Sequence, residues 1–337
     1  MKPWVTYHLY QTEKKLEKSL LDFTILGIWR GYRRIKKGVA GSDNLVVSKL
    51  YLKYQNLESE LLGRKYYFVN LDTLIKWVDE WVKDIPSDID IFIGIPRSGL
   101  LVANLLALKR GKPLSTPELF TANQYWQSKH ISRDSVKKVL LVDDSASTGE
   151  TMEDYYNKLK KACSSLIILK AAPIVSRKAK SKIDYYYKII PQPRFFEWNM
   201  VHWKRCKIAV DLDGVLCEDC PPGVDQNERL YDNWLKNARP LIIPEFEIDA
   251  IVSNRLEKYR GETEKWLKKN GIRYRTLEMW KLNSKKERRG NYSKNKIDKL
   301  LVIKPDIFWE SSLKQAEDIF KATGVPTLSV DQKVLFS

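Results

Sequence analysis

The sequence predicts an α/β protein of two domains, each a mainly parallel sheet flanked by helices. Three observations carry this prediction. Val139-Leu140-Leu141-Val142 is an unbroken apolar run ending in Asp143-Asp144, the pattern of a strand buried on both faces. Ile208-Ala209-Val210 repeats that order and runs into Asp211-Leu212-Asp213-Gly214. Helical segments with proper stops lie between such runs, as in Arg260 to Lys269 before Asn270-Gly271.

The totals agree with two ordinary domains. The chain has 337 residues, 43% hydrophobic and 30% charged, which are globular values and argue against disorder. No run approaches the roughly 18 apolar residues of a membrane span, and the start lacks a signal-peptide core, so a cytoplasmic protein without membrane partners is expected. The cysteines are Cys163, Cys206, Cys217 and Cys220, with one CxxC and no second pair at zinc spacing. Net charge is +17, from 59 basic against 42 acidic residues. Two partner classes meet such an excess: phosphorylated small molecules, and nucleic acid.

In chain order, residues 1–69 read as a helical, basic and aromatic extension. Arg30, Arg33, Arg34, Lys36 and Lys37 sit beside Trp29 and Tyr32, either a grip on a nucleic-acid strand or a solvated face with its rings packed inward. The first domain is expected over 70–190. Leu71, Leu74, Ile75, Val78 and Val82 recur at helical spacing and predict an amphipathic helix over 71–83. Ile89 to Ile95 reads as a strand, Pro96-Arg97-Ser98-Gly99 as a tight turn, and Leu100 to Leu108 as a helix, together an anion site. Asp143 and Asp144 suit a ribose diol. Ser145, Ser147, Thr148, Gly149 and Thr151 then form a small-residue loop at a helix start, where backbone N–H groups and the helix dipole favour a phosphate. Leu166–Leu169 reads as a further strand. Residues 191–206 form a proline-punctuated bridge, in which Glu197-Trp198-Asn199 is either part of a base pocket or a tie between domains.

The second domain is expected over 207–337. Asp-x-Asp-Gly after a strand places two acids near one point, one to attack phosphorus and one to move a proton. Ile248 to Val252 reads as a strand ending in Ser253-Asn254-Arg255, and Ile307 to Trp309 as one ending in Glu310-Ser311-Ser312. Cys217 to Pro244 is a short insert, and Lys281 to Lys299 is rich in lysine and arginine.

The stretch Val139 to Thr151 resembles the signature of type I phosphoribosyltransferases, which bind phosphoribosyl pyrophosphate (PRPP). The resemblance implies a phosphoribosyltransferase fold, PRPP as co-substrate, Mg²⁺ on the pyrophosphate, and Arg97, Ser98 and Gly99 as the pyrophosphate loop. It implies a closing loop over Phe120 to Arg133, with Lys129 and Arg133 neutralising the leaving group; His130 itself reads as a solvent-facing loop residue rather than an acid or base. Homodimers are common in that family. Lys207 to Leu216 resembles motif one of the haloacid dehalogenase (HAD) superfamily, mostly Mg²⁺-dependent phosphohydrolases of Rossmannoid fold. This implies Asp211 as nucleophile and metal ligand, and Asp213 as acid/base and a ligand through its carbonyl. It further implies Ser253 and Asn254 as phosphate-binding residues, Lys296 (with Lys294 as runner-up) as the shielding lysine, Glu310 as last metal ligand, and a small cap. The order of the two halves resembles fused phosphoribosyltransferase–HAD proteins of bacteria and their mobile elements. The function so implied is bifunctional: phosphoribosyl transfer to a base, and phosphate-monoester hydrolysis. Two alternatives stand beside it, a nucleic-acid-associated effector, for instance in antiphage defence, and a PRPP-sensing regulator.

Overall fold

The computed structural model describes residues 66–126, 135–282, 287 and 291–337, and Tyr66–Ser337 form one compact unit. Arg30, Arg33, Arg34, Lys36 and Lys37 lie outside the described residues, as do Lys129, His130 and Arg133. Among the described residues no helix is long and apolar enough to cross a membrane.

Strand β1 (Tyr67–Val69) leads into helix α1 (Leu71–Trp81), which Asn70 caps by accepting from Thr73 N at 2.8 Å. The buried face of α1 is Leu74, Val78 and Trp81. One member of the expected stripe departs from it: Ile75 is 41% exposed, whereas Val82, though it begins a 3₁₀ turn, still packs against that core. Trp81, three residues on from Val78, fills that face instead.

Six strands follow: β2 (Ile91–Gly94), β3 (Leu114–Ser115), β4 (Lys138–Val142), β5 (Ser145–Ala146), β6 (Ile167–Val175) and β7 (Tyr185–Ile189). They form one parallel sheet in which β3, β2, β4 and β6 lie side by side and β7 joins β6. β5 pairs with the far end of β6. This pairing of its second half with β5 and β7 explains why β6 outruns the expected Leu166–Leu169. Helices α2 (Gly99–Arg110), α3 (Pro117–Thr121) and α4 (Glu150–Ala162) lie between the strands. The chain runs one way from β2 to β3 and the other from β4 to β6, so a switch point falls between β2 and β4. Ligands bind open α/β sheets in that crevice, beyond the strands' carboxyl ends.

Strand β8 (Arg194–Phe196) pairs in parallel with β1 as a separate two-stranded sheet. Its side chains alternate, as the pleat requires. Phe195 enters the core under the second large sheet, while Phe196 packs with Val69 of β1 and Ile174 of β6.

The second sheet contains β9 (Ile208–Val210), β10 (Ile248–Leu256), β11 (Tyr274–Trp280), β12 (Ile307–Glu310), β13 (Thr327–Ser329) and β14 (Val334–Phe336). Their order is β11-β10-β9-β12-β13-β14, parallel except for β14. Helices α5 (Glu228–Asn237), α6 (Arg260–Lys269), α7 (Tyr292–Ile303) and α8 (Leu313–Thr323) complete it. The switch point here lies between β9 and β12, where Asp211 and Glu310 stand. The insert after β9 contributes only the 3₁₀ turn Val224–Gln226 and α5.

Candidate functional site

At the first switch point two loops touch. Gly99 starts α2, and a Cβ built on it would lie 2.6 Å from the Val142 carbonyl and 2.9 Å from Asp143 Cα. Only a residue without a side chain lets the loop after β2 approach the end of β4 so closely. Asp143 N is fixed to Ala171 O at 3.0 Å, and its Oδ1 accepts from Asp144 N at 2.8 Å.

Asp144 and Asp143 do not stand equivalently towards a ligand, because successive residues leave a strand on opposite sides. Asp144 is buried, and its Oδ2 accepts from Trp198 Nε1 at 2.6 Å and Asn199 Nδ2 at 3.2 Å. Asn199 in turn accepts from Ser98 Oγ at 2.9 Å, joining the two loops through a third segment. Burial pushes the Asp143 carboxyl well above the usual range, and Asp144 beside it adds like charge. Burial raises Asp144 as well, opposed by the Trp198 hydrogen bond. Glu197-Trp198-Asn199 therefore reaches the first site, and Glu197 also ties the fold, accepting from Leu71 N at 2.7 Å and pairing with Lys333 at 3.1 Å.

The phosphate-type loop runs from Ser145 to the start of α4, with Gly149 at φ +73° as its N-cap. Ser145, Ser147 and Thr148 are half-buried and Thr151 is exposed. Three residues hold the loop from behind. Ser176 Oγ donates to Ser147 O at 2.6 Å, Gln192 Nε2 to Ser147 Oγ at 2.8 Å, and Arg194 Nη2 to Ala146 O at 3.0 Å. Arg97 is exposed on the facing loop.

At the second switch point Lys296 Nζ lies 2.6 Å from Asp211 Oδ2 and 2.6 Å from Glu310 Oε2, all three groups being buried. Burial works against the lysine's charge, yet the two carboxylates hold its pKa above the ordinary value. Burial also raises Asp211, with Lys296 opposing. Asp213 is gripped by Arg255, whose Nη2 and Nε lie 2.6 and 3.0 Å from Oδ1. Arg255 has no exposed side-chain surface and stacks on Trp234 with its guanidinium carbon 4.8 Å from the ring centre. A cleft of about 340 Å³ opens here, lined by Asp211, Asp213, Asp219, Asn254, Lys296 and Ser311 among others.

Two expected positions are corrected. Ser253 does not line the cleft: β10 continues to Leu256, so Ser253 lies inside the strand, fully buried, its Oγ accepting from Arg255 N at 3.1 Å. Asn254 does line it, accepting from Asn295 Nδ2 at 3.0 Å. Glu310 is fully buried with both oxygens engaged, Oε2 by Lys296 and Oε1 by Ser312 N at 3.2 Å. A carboxylate so enclosed does not fit a metal ligand that must face the cleft. Asp211 and Asp213 do face it, and oxygen donors suit Mg²⁺. Among the described residues no three His, Cys, Asp or Glu side chains converge on one metal position. The sequence does not mark out Arg194, Gln192, Arg255 or Asp219 as site residues. The first three meet their sites across the fold, which neither charge nor spacing in the sequence marks out, whereas Asp219 follows Asp213 by six residues in the same loop.

No family model matches the chain. A stretch of 107 residues, 32% of the chain, is 34% identical to orotate phosphoribosyltransferase of Sulfurisphaera tokodaii and covers 50% of that protein. The chain thus spans about half the length of the curated relative it matches. Among solved structures, purine phosphoribosyltransferase from Pyrococcus horikoshii Ot3 is 19% identical, over 40% of this chain and 93% of that one, with a TM-score of 0.31. Helicobacter pylori xanthine-guanine-hypoxanthine phosphoribosyltransferase is 20% identical over 40% and 93%, with a TM-score of 0.32. The 34% likeness supports a type I phosphoribosyltransferase region in this α/β chain.

Proposed function

We propose that the chain is a two-site enzyme that transfers phosphoribosyl from PRPP to a nitrogenous base and hydrolyses a phosphate monoester. What carries the reading is the meeting of the Gly99 loop with Asp143 at the first switch point. There a pyrophosphate on one loop and a ribose phosphate on the other would be joined at one sugar carbon. Asp143 and Asp144 would accept from the ribose hydroxyls, the N–H groups of Ser147 to Thr151 would hold the 5′-phosphate, and Pro96–Gly99 the pyrophosphate. A base nitrogen then attacks the anomeric carbon as its bond to the pyrophosphate oxygen breaks. Asp143, the less enclosed carboxylate, would hold the Mg²⁺, which when bound neutralises pyrophosphate charge.

At the second site Asp211 would attack phosphorus and form an aspartyl-phosphate, with Lys296 stabilising charge between Asp211 and the phosphoryl oxygens. Asp213, oriented by the Arg255 fork, would pass a proton to the leaving oxygen and later take one from water. Asp211 and the Asp213 carbonyl would hold Mg²⁺, which supplies charge neutralisation at the phosphoryl group. The two activities separate by mutation. Asp143→Asn is expected to abolish PRPP-dependent pyrophosphate release and spare phosphatase turnover, and Asp211→Asn to do the reverse. Loss of neither activity in either variant would sink the bifunctional reading.

One feature favours a polyanionic partner as a second reading. Lys158 and Lys180 lie over Tyr155 and Tyr186 at 4.9 and 5.7 Å, basic–aromatic pairs of the kind that grip nucleic acid. The test is RNA and DNA binding as a function of salt: a steep slope supports it, and a slope no steeper than that of an equally basic control protein removes it.

A further inference from the structure

Arg194 is the unexplained charge of the first site. It is 3% exposed, on a strand whose next residue packs into the other core. Its partners are neutral acceptors: Ala146 O at 3.0 Å, Ser147 Oγ at 3.3 Å, and Ile190 O. Among the described residues its Nε has no hydrogen-bond partner. Burial pushes its pKa down to about 10, with Asp144 acting the other way, so it stays charged at neutral pH. Asp144 is itself occupied by Trp198 and Asn199.

A buried cation without a contacting carboxylate is costly to the free fold. Such a cost is kept where a counter-charge arrives with a ligand. The position identifies where it arrives. Arg194 touches the rear of Ala146 and Ser147, and the next residues of the same loop carry the N–H groups of the α4 start, with Gly149 as the N-cap. A helix N-terminus favours negative charge by its dipole. Two sources of positive potential, the helix end and a buried guanidinium, therefore act at one short loop. Gln192 adds a second grip on the Ser147 hydroxyl at 2.8 Å, and its Oε1 accepts from Arg194 N at 3.1 Å, which holds the arginine's own backbone in register.

We infer that Arg194 is the positioning residue of the phosphate loop: it fixes Ala146 and Ser147 from behind and supplies a buried positive charge that the 5′-phosphate of a phosphoribosyl substrate neutralises. This rests on the phosphoribosyl-transfer reading above and goes beyond it. Arg194 touches no reacting atom. It acts through the loop, and it brings the strand that anchors the second core into the first site.

Isothermal calorimetry with ribose 5-phosphate, and separately with Mg²⁺-pyrophosphate, tests the inference on the full chain and its Arg194→Met and Gln192→Leu variants. Replacing a buried charge by an apolar side chain of similar length need not unfold the protein. In Arg194→Met, ribose 5-phosphate binding is expected to weaken about tenfold or more, whereas pyrophosphate, held by the other loop, stays within about twofold. Gln192→Leu, which keeps the charge, is expected to lose less than Arg194→Met on ribose 5-phosphate and nothing on pyrophosphate. Equal losses for both ligands in Arg194→Met would mean a merely structural role and overturn the inference, as would ribose 5-phosphate binding equal to the parent's. Failure of the parent chain to bind either ligand would overturn the phosphoribosyl reading beneath it.

Discussion

Gly99→Ala tests the geometry of the first site more sharply than any charge substitution. The added Cβ would lie 2.6 Å from Val142 O, 2.9 Å from Asp143 Cα and 3.2 Å from Asp143 Oδ1. Ordinary non-bonded contact needs about 3.5 Å or a little more, so the two loops must part by roughly 0.5–1 Å. Neither side yields easily, because Val142 O also accepts from Ile95 N at 2.8 Å and Asp143 N is tied to Ala171 O. Overpacking of this kind costs about 1–3 kcal/mol of stability. A misplacement near 1 Å between groups that must act on one sugar carbon costs on the order of 10²-fold in rate. The assay is PRPP-dependent pyrophosphate release, with turnover of a phosphate monoester at the second site as internal control. Expected is a loss near that factor in the first activity with the second within about threefold, since the second sheet is untouched. Undiminished pyrophosphate release together with an unchanged urea midpoint would show that the loops do not meet as described.

Other perturbations follow from the same structure. Lys296→Met leaves Asp211 and Glu310 buried without their shared cation, and is expected to cost about 3–5 kcal/mol; adding Glu310→Gln should recover part of the urea midpoint but no phosphatase turnover, and an unchanged midpoint in the single variant would refute the triad. Phe195→Ala, at a fully buried ring 5.0 Å from both Phe68 and Trp203, is expected to lower stability by about 3–5 kcal/mol by denaturant titration; a loss below 1 kcal/mol would place the ring outside the second core. Because burial and Asp144 raise Asp143 in the fold, the folded protein binds its proton more tightly than the unfolded chain. Stability from this group is then full below the unfolded carboxylate value of about 3.9 and is lost as pH rises through the raised folded value. Melting temperature against pH should accordingly fall less steeply in Asp143→Asn than in the parent, while PRPP affinity of the parent rises over the same window; parallel melting curves would contradict the assignment.

The parts of both sites that lie at strand ends were legible in the sequence. Val139–Val142 and Ile208–Val210 announce themselves as buried strands because nothing polar interrupts them, and the acids after each fall at a carboxyl edge by geometry alone. Only the family resemblance points to Lys296, which lies 85 residues on from Asp211. The role of Arg255 is not legible because its partner Asp213 lies 42 residues away, and Trp198 and Asn199 meet Asp144 across 54 and 55 residues. Spacing within one segment carries no trace of such contacts. Ser253 departs for another reason: Ile248–Val252, apolar but for Asp249, does not end β10, which runs on to Leu256 through a register shift beside β11, so the expected strand end is strand interior. The metal expected at Glu310 rests on the family resemblance; its burial and its two donors are tertiary facts. Ile75 is apolar and so belongs to the core stripe by pattern, whereas the buried face is centred on Leu74, Val78 and Trp81 and leaves it 41% exposed.

On the proposed reading, the loops that meet at the first switch point transfer phosphoribosyl while Asp211 serves a separate reaction. Phosphorus NMR of the full chain with PRPP, Mg²⁺ and a panel of bases including orotate and the purines measures it most directly. Expected is base-dependent appearance of free pyrophosphate and a new phosphoribosyl resonance in the parent and in Asp211→Asn, and neither in Asp143→Asn. Unaltered PRPP with every base would contradict the transfer, and equal loss in Asp143→Asn and Asp211→Asn would contradict the separation of the two sites.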